Sequence, residues 1–322
     1  MRSSTVLWAL LALFSPVTRA EWILREQAIM GTRCAVELWT EDRTHGEALA
    51  ATVFAEMRRV DRLMSTYRAD SELSQLNDRA ADGPVVIGKE LFDLIGQSLD
   101  YSRLSEGAFD VTYASVGYLY DYRGHHRPNP QQIAAARPGI DYRHVILLPD
   151  HAAIRYTRKG TRVDLGGIAK GYAVDRGIEA LRAAGVTRAM VNAGGDTRLI
   201  GDRFGKPWVV GIRDPNDRGK VILRIPLTDT AISTSGDYER YFDEGGVRYH
   251  HILDPRTGDS ARLLRSATVI ASTATRTDAL STSVFVMGAQ RGLAMIDRLV
   301  GVDAVVVTPA GKVLYSKGLE PR

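Results

Sequence analysis

Apolar residues recur every three or four positions at Leu49, Val53, Met57, Val60 and Met64, the spacing that lines one face of a helix. The same stripe returns at Leu91, Leu94, Ile95 and Leu99, predicting a second helix over about Lys89 to Leu104. Ahead of both, Arg33 to Trp39 reads as a strand. Asp121 to Pro138 is rich in charge, His and Pro, and is expected to be a loop. The middle of the chain reads as strand, turn, helix and strand. Arg162 to Leu165 is strand-like, Gly166-Gly167 turns, and a helix carrying Val174, Ile178 and Leu181 stops at Gly185. A strand then resumes at Ala189 to Val191 and ends in Asn192-Ala193-Gly194-Gly195-Asp196. Further strands are expected around Trp208 to Ile212, Val221 to Ile225, Ala267 to Ala271 and Ala304 to Val307, with helices near Asp278 to Met287 and Ala289 to Leu299. This mixture predicts an α/β or α+β fold, with helices packed on mixed sheets.

The first twenty residues follow another pattern. Met1-Arg2 gives a positive start, Val6 to Phe14 is almost wholly apolar, Pro16 breaks the run, and Thr18-Arg19-Ala20 suits a signal peptidase. The apolar run is too short for a permanent span. Residues 1–20 are therefore expected to be a cleavable signal peptide; a buried N-terminal helix is the plainer alternative. No repeat, low-complexity tract or linker divides residues 21–322, so one continuous unit is expected. Cys34 is the only cysteine, so no intrachain disulfide can form. It lies past the cleavage site, where it cannot be a lipidated first residue, and in a strand-like run, where a packed thiol is expected.

Composition narrows the class without naming it. Apolar residues make up 44% and charged residues 25% of the 322-residue chain, the balance of a soluble globular protein. The net charge is only +4, and the densest basic patch, Arg123 to Arg127, is short enough to be a solvated loop. Nucleic-acid binding gains no support from this.

Three segments carry candidate chemistry. In Asp164-Leu165-Gly166-Gly167-Ile168-Ala169-Lys170-Gly171, a carboxylate is followed by two glycines and a helix start. Free amides there attract phosphate oxygens and Lys170 adds a positive charge. The spacing fits neither a P-loop nor G-x-G-x-x-G, and a tight turn with an exposed Lys is the plain alternative. In Asp278-Ala279-Leu280-Ser281-Thr282, helical spacing puts Asp278 and Thr282 on one face. A carboxylate, a hydroxyl and a nearby carbonyl suit Mg2+, although Asp278 alone also suits a helix N-cap. In His250-His251-Ile252-Leu253-Asp254-Pro255-Arg256-Thr257-Gly258, a turn fixes a strand end on which at most one imidazole faces a site. No zinc spacing and no G-x-S-x-G elbow is present.

Taken together, these segments resemble the FAD:protein FMN transferase (ApbE) family. The likeness runs from Ile29-Met30-Gly31-Thr32 to Asp278-Ala279-Leu280-Ser281-Thr282-Ser283. Between them lie Met64-Ser65-Thr66-Tyr67, Gly107-Ala108-Phe109-Asp110, Asp164 to Gly171, Asn192 to Asp196, Ser235-Gly236-Asp237-Tyr238 and His251 to Pro255. The resemblance implies a T-fold-like architecture of mixed sheets with packed helices. It also implies a catalytic domain over residues 21–322 that uses Mg2+ and FAD. The FMN moiety would pass through a phosphoester bond to a Thr or Ser hydroxyl of a target flavoprotein, with release of AMP. Asp278, Thr282 and the Gly167 carbonyl match metal ligands; that last position is often Ala in relatives. Met30, Tyr67, Ala108, Phe109, Asp110, Asp164, Lys170 and Ile252 match positions around FAD. Tyr67 would stack on a ring, or else pack in the core with its hydroxyl tethered. His251 is the expected base and Lys170 the holder of phosphate charge, while Asp254 either orients the imidazole or builds the turn. Implied acceptors are membrane redox-complex subunits or FMN-carrying domains, and the implied location is the periplasm. Two alternatives stay open at this point: an FAD pyrophosphatase releasing FMN and AMP, and a non-catalytic periplasmic flavin-binding protein.

Overall fold

The computed structural model describes residues 20–215, 217 and 219–319; the expected signal peptide lies outside these residues apart from Ala20. The chain opens as a hairpin, Glu21–Ile29 paired with Thr32–Thr40. Its turn, Met30-Gly31, has φ of 54° and 67°, the doubly positive turn that matches strand twist. Cys34 is fully buried, its thiol facing the Ile29 carbonyl at 3.6 Å. Burial pushes its pKa up to about 11, so the thiol is packing and not a nucleophile.

Helix α1, Arg43–Met64, begins where the Asp42 carboxylate accepts the Thr44 amide at 2.8 Å. It buries the stripe Leu49, Val53, Met57, Val60 and Met64. Helices α2, Glu72–Arg79, and α3, Lys89–Leu104, follow. A short α4, Ala114–Gly117, leads to α5, Pro130–Ala136, which lies within the stretch expected to be loop. Asn129 and Gln132 cap α5 reciprocally, and none of its residues is buried. Only Ile133 and Ala136 pack, partly buried, against Val116, Tyr120 and Leu253, so the helix leans on its caps and no long apolar stripe marks it in the sequence.

Helix α6, Ala169–Ala183, starts at the expected turn. The segment before it, Arg162 to Leu165, is not a strand, contrary to expectation. The Asn77 side chain stands in for a strand neighbour, accepting the Val163 amide and donating to its carbonyl, both at 2.8 Å. Helix α7, Ala274–Met287, starts four residues before Asp278 and is capped by Thr273. Asp278 is therefore an interior residue and not an N-cap. Helix α8, Ala289–Ile296, follows directly.

Eight strands make the main sheet: Glu21–Ile29, Thr32–Thr40, Ala189–Ala193, Asp196–Ile200, Ala231–Gly236, Ser266–Ala271, Asp303–Val307 and Val313–Tyr315, in that spatial order. Every pairing is antiparallel, and strand order follows chain order. The result is a meander with helices and hairpins inserted between strands, in keeping with the expected sheet-and-helix class. Alternation decides what each face meets. Ser233 and Ser235 bond to α7, whereas Ile232 packs with Ile212 and Ile225 of the hairpin Trp208–Arg213/Val221–Leu227. Helices α1, α6 and α7 lie against the sheet. Almost every residue of α7 is buried, and two apolar clusters share it: Ala274 and Ala279 join one, Leu280, Val284 and Phe285 the other.

Candidate active site

The Gly-rich turn is held by Asp164. One carboxylate oxygen accepts the Gly166 amide at 2.7 Å and the Tyr113 hydroxyl at 2.9 Å; the other accepts the Thr66 hydroxyl at 2.6 Å. Asp164 thus ties the turn to the end of α1 and leaves the neighbouring Tyr67 outside. Tyr67 is 88% exposed, which removes the core-packing alternative and leaves a free aromatic face at the rim.

Helices α6 and α7 cross at Gly171. A Cβ there would overlap the Ala274 carbonyl and lie 2.8 Å from the Asp278 Cβ. This closeness lets the Gly171 amide donate to Asp278 Oδ2 at 3.0 Å. Lys170 Nζ then fills the corner. It lies 3.1 Å from the Gly166 carbonyl, 3.4 and 3.3 Å from the two Asp278 oxygens, and 3.1 Å from Asp196 Oδ2. The Asp196 contact is ionic without hydrogen-bond alignment, so that buried oxygen keeps unused accepting capacity. Burial disfavours the Lys170 charge, but Asp196 and Asp278 outweigh it and hold the ammonium pKa above its ordinary value. Burial, with Asp196 alongside, pushes the Asp278 carboxyl upward against the pull of Lys170 and the Gly171 amide.

One turn further along α7, the Thr282 hydroxyl lies 3.2 Å from Ser235 Oγ, itself 2.9 Å from Ser281 Oγ. A Cβ on Gly167 would sit 3.4 Å from Thr282 Oγ1 and 3.1 Å from the Phe109 ring. Gly167, Thr282, Asp278 and Lys170 therefore share one corner, with buried Phe109 as its apolar wall. Among the described residues no cluster of three or more His, Cys, Asp or Glu is present. A metal here would rest on a carboxylate, a hydroxyl and carbonyl oxygens, a donor set of the hard kind that Mg2+ prefers. Lys170 already shows that the corner accepts a cation.

The histidine end is built differently. His250 ends the strand Val247–His250 and is 2% exposed. Its Nε2–H donates to the Ala261 carbonyl at 2.7 Å and its Nδ1 accepts the Ile252 amide at 3.3 Å. Those partners fix the tautomer. Burial lowers its pKa to about 4. His251, next in line, has a buried Nδ1 with no hydrogen-bond partner. Burial first, then the nearby Arg240, His250 and Lys170 charges, lower its pKa to about 3. The His251 amide donates to the Arg240 carbonyl at 3.1 Å, and the Arg240 guanidinium lies over Gly31 beside Met30. Asp254 builds the turn: it accepts the Arg256 amide at 3.0 Å, pairs with the Arg256 guanidinium at 2.8 Å, and does not hold an imidazole.

Residues 30–306 match the model of the ApbE family. The chain belongs to the ApbE family. It is 33% identical over 319 residues to the FAD:protein FMN transferase of Treponema pallidum (strain Nichols), across 92% of this chain and 88% of that protein. It is 32% identical over 292 residues to one from Klebsiella pneumoniae (strain 342), across 89% and 90%. Among solved structures, the ApbE protein of Thermotoga maritima superposes with a TM-score of 0.86 at 34% identity, over 93% of this chain and 98% of that one. The flavin transferase ApbE of Vibrio cholerae gives 0.83 at 29%, over 94% and 99%.

Within this ApbE fold, some family-matched positions are committed to the protein itself. Asp110 is buried, and its oxygens accept the Thr112 amide and hydroxyl and the Tyr142 amide at 2.8, 2.5 and 2.8 Å. Burial raises its pKa, and all of these contacts hold the loop after α3. Ala108 and Ile252 pack against the α7 cluster. Asp196 carries no signal of its own in the sequence, although it ends the family-like segment Asn192–Asp196. Its partner Lys170 is distant in the chain, so only the fold reveals the pair.

Proposed function

We propose that this ApbE enzyme transfers the FMN half of FAD to a Ser or Thr hydroxyl of an acceptor flavoprotein, with release of AMP. The observation that carries the reading is the convergence of Asp278, Thr282 and the Gly166-Gly167 corner around one positive charge. Asp278, Thr282 and the Gly167 carbonyl would hold Mg2+, which when bound neutralises pyrophosphate oxygens and stabilises the departing phosphate. Lys170 keeps its charge and supplies a fixed cation for a second phosphate oxygen. Exposed Tyr67 offers a ring face to the flavin or adenine, a contact worth about 1–3 kcal/mol by analogy with base stacking.

The acceptor oxygen bonds to the flavin-side phosphorus. The phosphorus–oxygen bond to the AMP side breaks, and AMP leaves with that electron pair. His251 takes the hydroxyl proton. Its Nδ1 carries no hydrogen bond within the protein, so that ring nitrogen is free to accept the proton as the new bond forms. Acceptors are membrane redox-complex subunits or FMN-carrying domains, and the chain works in the periplasm after loss of residues 1–20. Recovery from a periplasmic extract with Glu21 as first residue tests that location.

Mixing the enzyme with FAD, Mg2+ and a flavin-acceptor domain tests the reaction. In-gel flavin fluorescence on the acceptor is expected; free FMN alone would mean hydrolysis instead. Asp278→Ala should lower turnover about 100- to 1,000-fold, of the order seen when a preorganised electrostatic group is lost, with FAD still bound. Unaltered turnover would refute the role of this corner.

A further inference from the structure

We infer that Asp175, backed by Arg198, is the positioning residue that sets how α7 presents Asp278 and Thr282, and so sets the affinity of that corner for a divalent cation. The inference rests on the reading that these two residues bind one.

The first amides of a helix have no partner within it. In α7 the side chain of the N-cap Thr273 serves only the Arg276 amide, at a long 3.4 Å. The two amides before it are taken by a side chain from another helix. Asp175 of α6 accepts the Ala274 amide at 2.9 Å on Oδ1, and the Thr275 amide and hydroxyl at 2.8 and 2.6 Å on Oδ2. Arg198 Nη1 donates to the same Oδ1 at 2.6 Å. Asp175 is 6% exposed and Arg198 9%, so the pair is desolvated, and each carboxylate oxygen has two donors. A carboxylate so placed is also favoured by the helix dipole.

The location gives this anchor its meaning. Thr275 is three residues before Asp278, so a shift at the start of α7 is carried to the Asp278 carboxylate within one turn. Helix α6 grips α7 twice, through Asp175 at the first turn and through the Gly171 amide on Asp278 itself. The strand Asp196–Ile200 serves both grips from one face, sending Asp196 to Lys170 and, two residues on, Arg198 to Asp175. At the far end, Ser235 sets the Thr282 hydroxyl. Asp175 touches none of the groups in the corner, so it acts on them only through the placement of α7.

The test uses the chain from residue 21 and Mn2+ as probe, with free ion read by electron paramagnetic resonance and no nucleotide present. Asp175→Asn should weaken Mn2+ binding at least tenfold. Leu73→Ala, in the core of α2, should lower Tm comparably and leave Mn2+ affinity unchanged, which separates positioning from general loss of stability. Thr275→Val removes one donor without stranding a charge. It should weaken binding about threefold, and it carries the test if Asp175→Asn does not fold. Mn2+ affinities within 1.5-fold of the parent in the folded variants would overturn the proposal. A parent that binds no more Mn2+ than Asp278→Ala would instead sink the cation reading beneath it.

Discussion

The α6–α7 corner and the histidine end of the Val247–His250 strand are both built from buried polar groups, but they are finished differently. In the corner, charge is answered by charge: Lys170 sits between Asp196 and Asp278, and Asp278 takes a backbone amide as well. At the strand end, His250 uses both ring nitrogens while the adjacent His251 leaves Nδ1 buried and unpaired. A buried polar atom without a partner costs about 1–3 kcal/mol. A saturated group holds geometry; an unsaturated one next to it is where a proton can be received. The contrast lies between two neighbouring residues of one type, so it can be broken by exchanging their effects.

The largest expected effect comes from His251→Asn. Loss of a general base costs about 100- to 10,000-fold, and kcat for FMN transfer should fall in that range while Tm moves little, because no hydrogen bond at Nδ1 is lost. If His250→Gln lowers kcat more than His251→Asn does, the roles assigned to the two rings are reversed.

Gly171→Ala should come next. The added methyl meets the Ala274 backbone, not a flexible side-chain tip, so α6 and α7 must separate. Overpacking of this kind costs about 3 kcal/mol, readable as a lower urea midpoint. Activity should fall with it, since the Gly171 amide would withdraw from Asp278. A stable and active variant would show that the helices have slack at the crossing.

How far the sequence carries can be seen at these same positions. The stripes of α1 and α3 are legible because one apolar face alone decides them. The Gly166-Gly167 turn and the Asp278/Thr282 pair are legible because each is local, with a spacing that any helix or turn converts into proximity. Asp196 and Asp175 are not, because each acts through a partner tens of residues away, and nothing in a single chain marks which Asp will meet which cation. Arg162 to Leu165 misleads for a related reason: an Asn side chain from α2 satisfies backbone groups that a strand neighbour would otherwise take. Helix α5 hides because caps and only two partly buried residues, Ile133 and Ala136, hold it. Residue type and pattern alone do not separate His250 from His251; the family resemblance picks His251, and the Ala261 carbonyl and Ile252 amide that occupy His250 give the physical reason.

A smaller effect is expected from pH. The unfolded chain protonates His250 near its ordinary 6.5, whereas in the fold burial lowers it to about 4. Between those values the unfolded state binds more protons, so stability falls as pH drops through that window and the loss is complete below about 4. The full span corresponds to about 3 kcal/mol. Urea midpoints of parent and His250→Gln, compared from pH 7.5 to 4.5, should converge as pH falls, because only the parent loses this contribution. A constant gap would mean that His250 is not held neutral by its burial.

The smallest expected effect tests the tightness of the corner against that of the crossing. Gly167 and Gly171 are four residues apart on the same turn and helix, and Cβ contacts separate them sharply. On Gly167 the new methyl would meet the Phe109 ring edge at 3.1 Å and the Thr282 hydroxyl at 3.4 Å, both on side chains able to yield by a few tenths of an ångström. The Gly167 carbonyl, the only part of the residue assigned a role, is unchanged by the substitution. Gly167→Ala should therefore cost less than about 1 kcal/mol, at or below the low end of overpacking penalties, and change kcat/KM for FAD by less than about threefold, a barrier change of under about 1 kcal/mol. A loss as large as that of Gly171→Ala would mean that the corner has no room beside Thr282, and that the hydroxyl is fixed by packing instead of by Ser235.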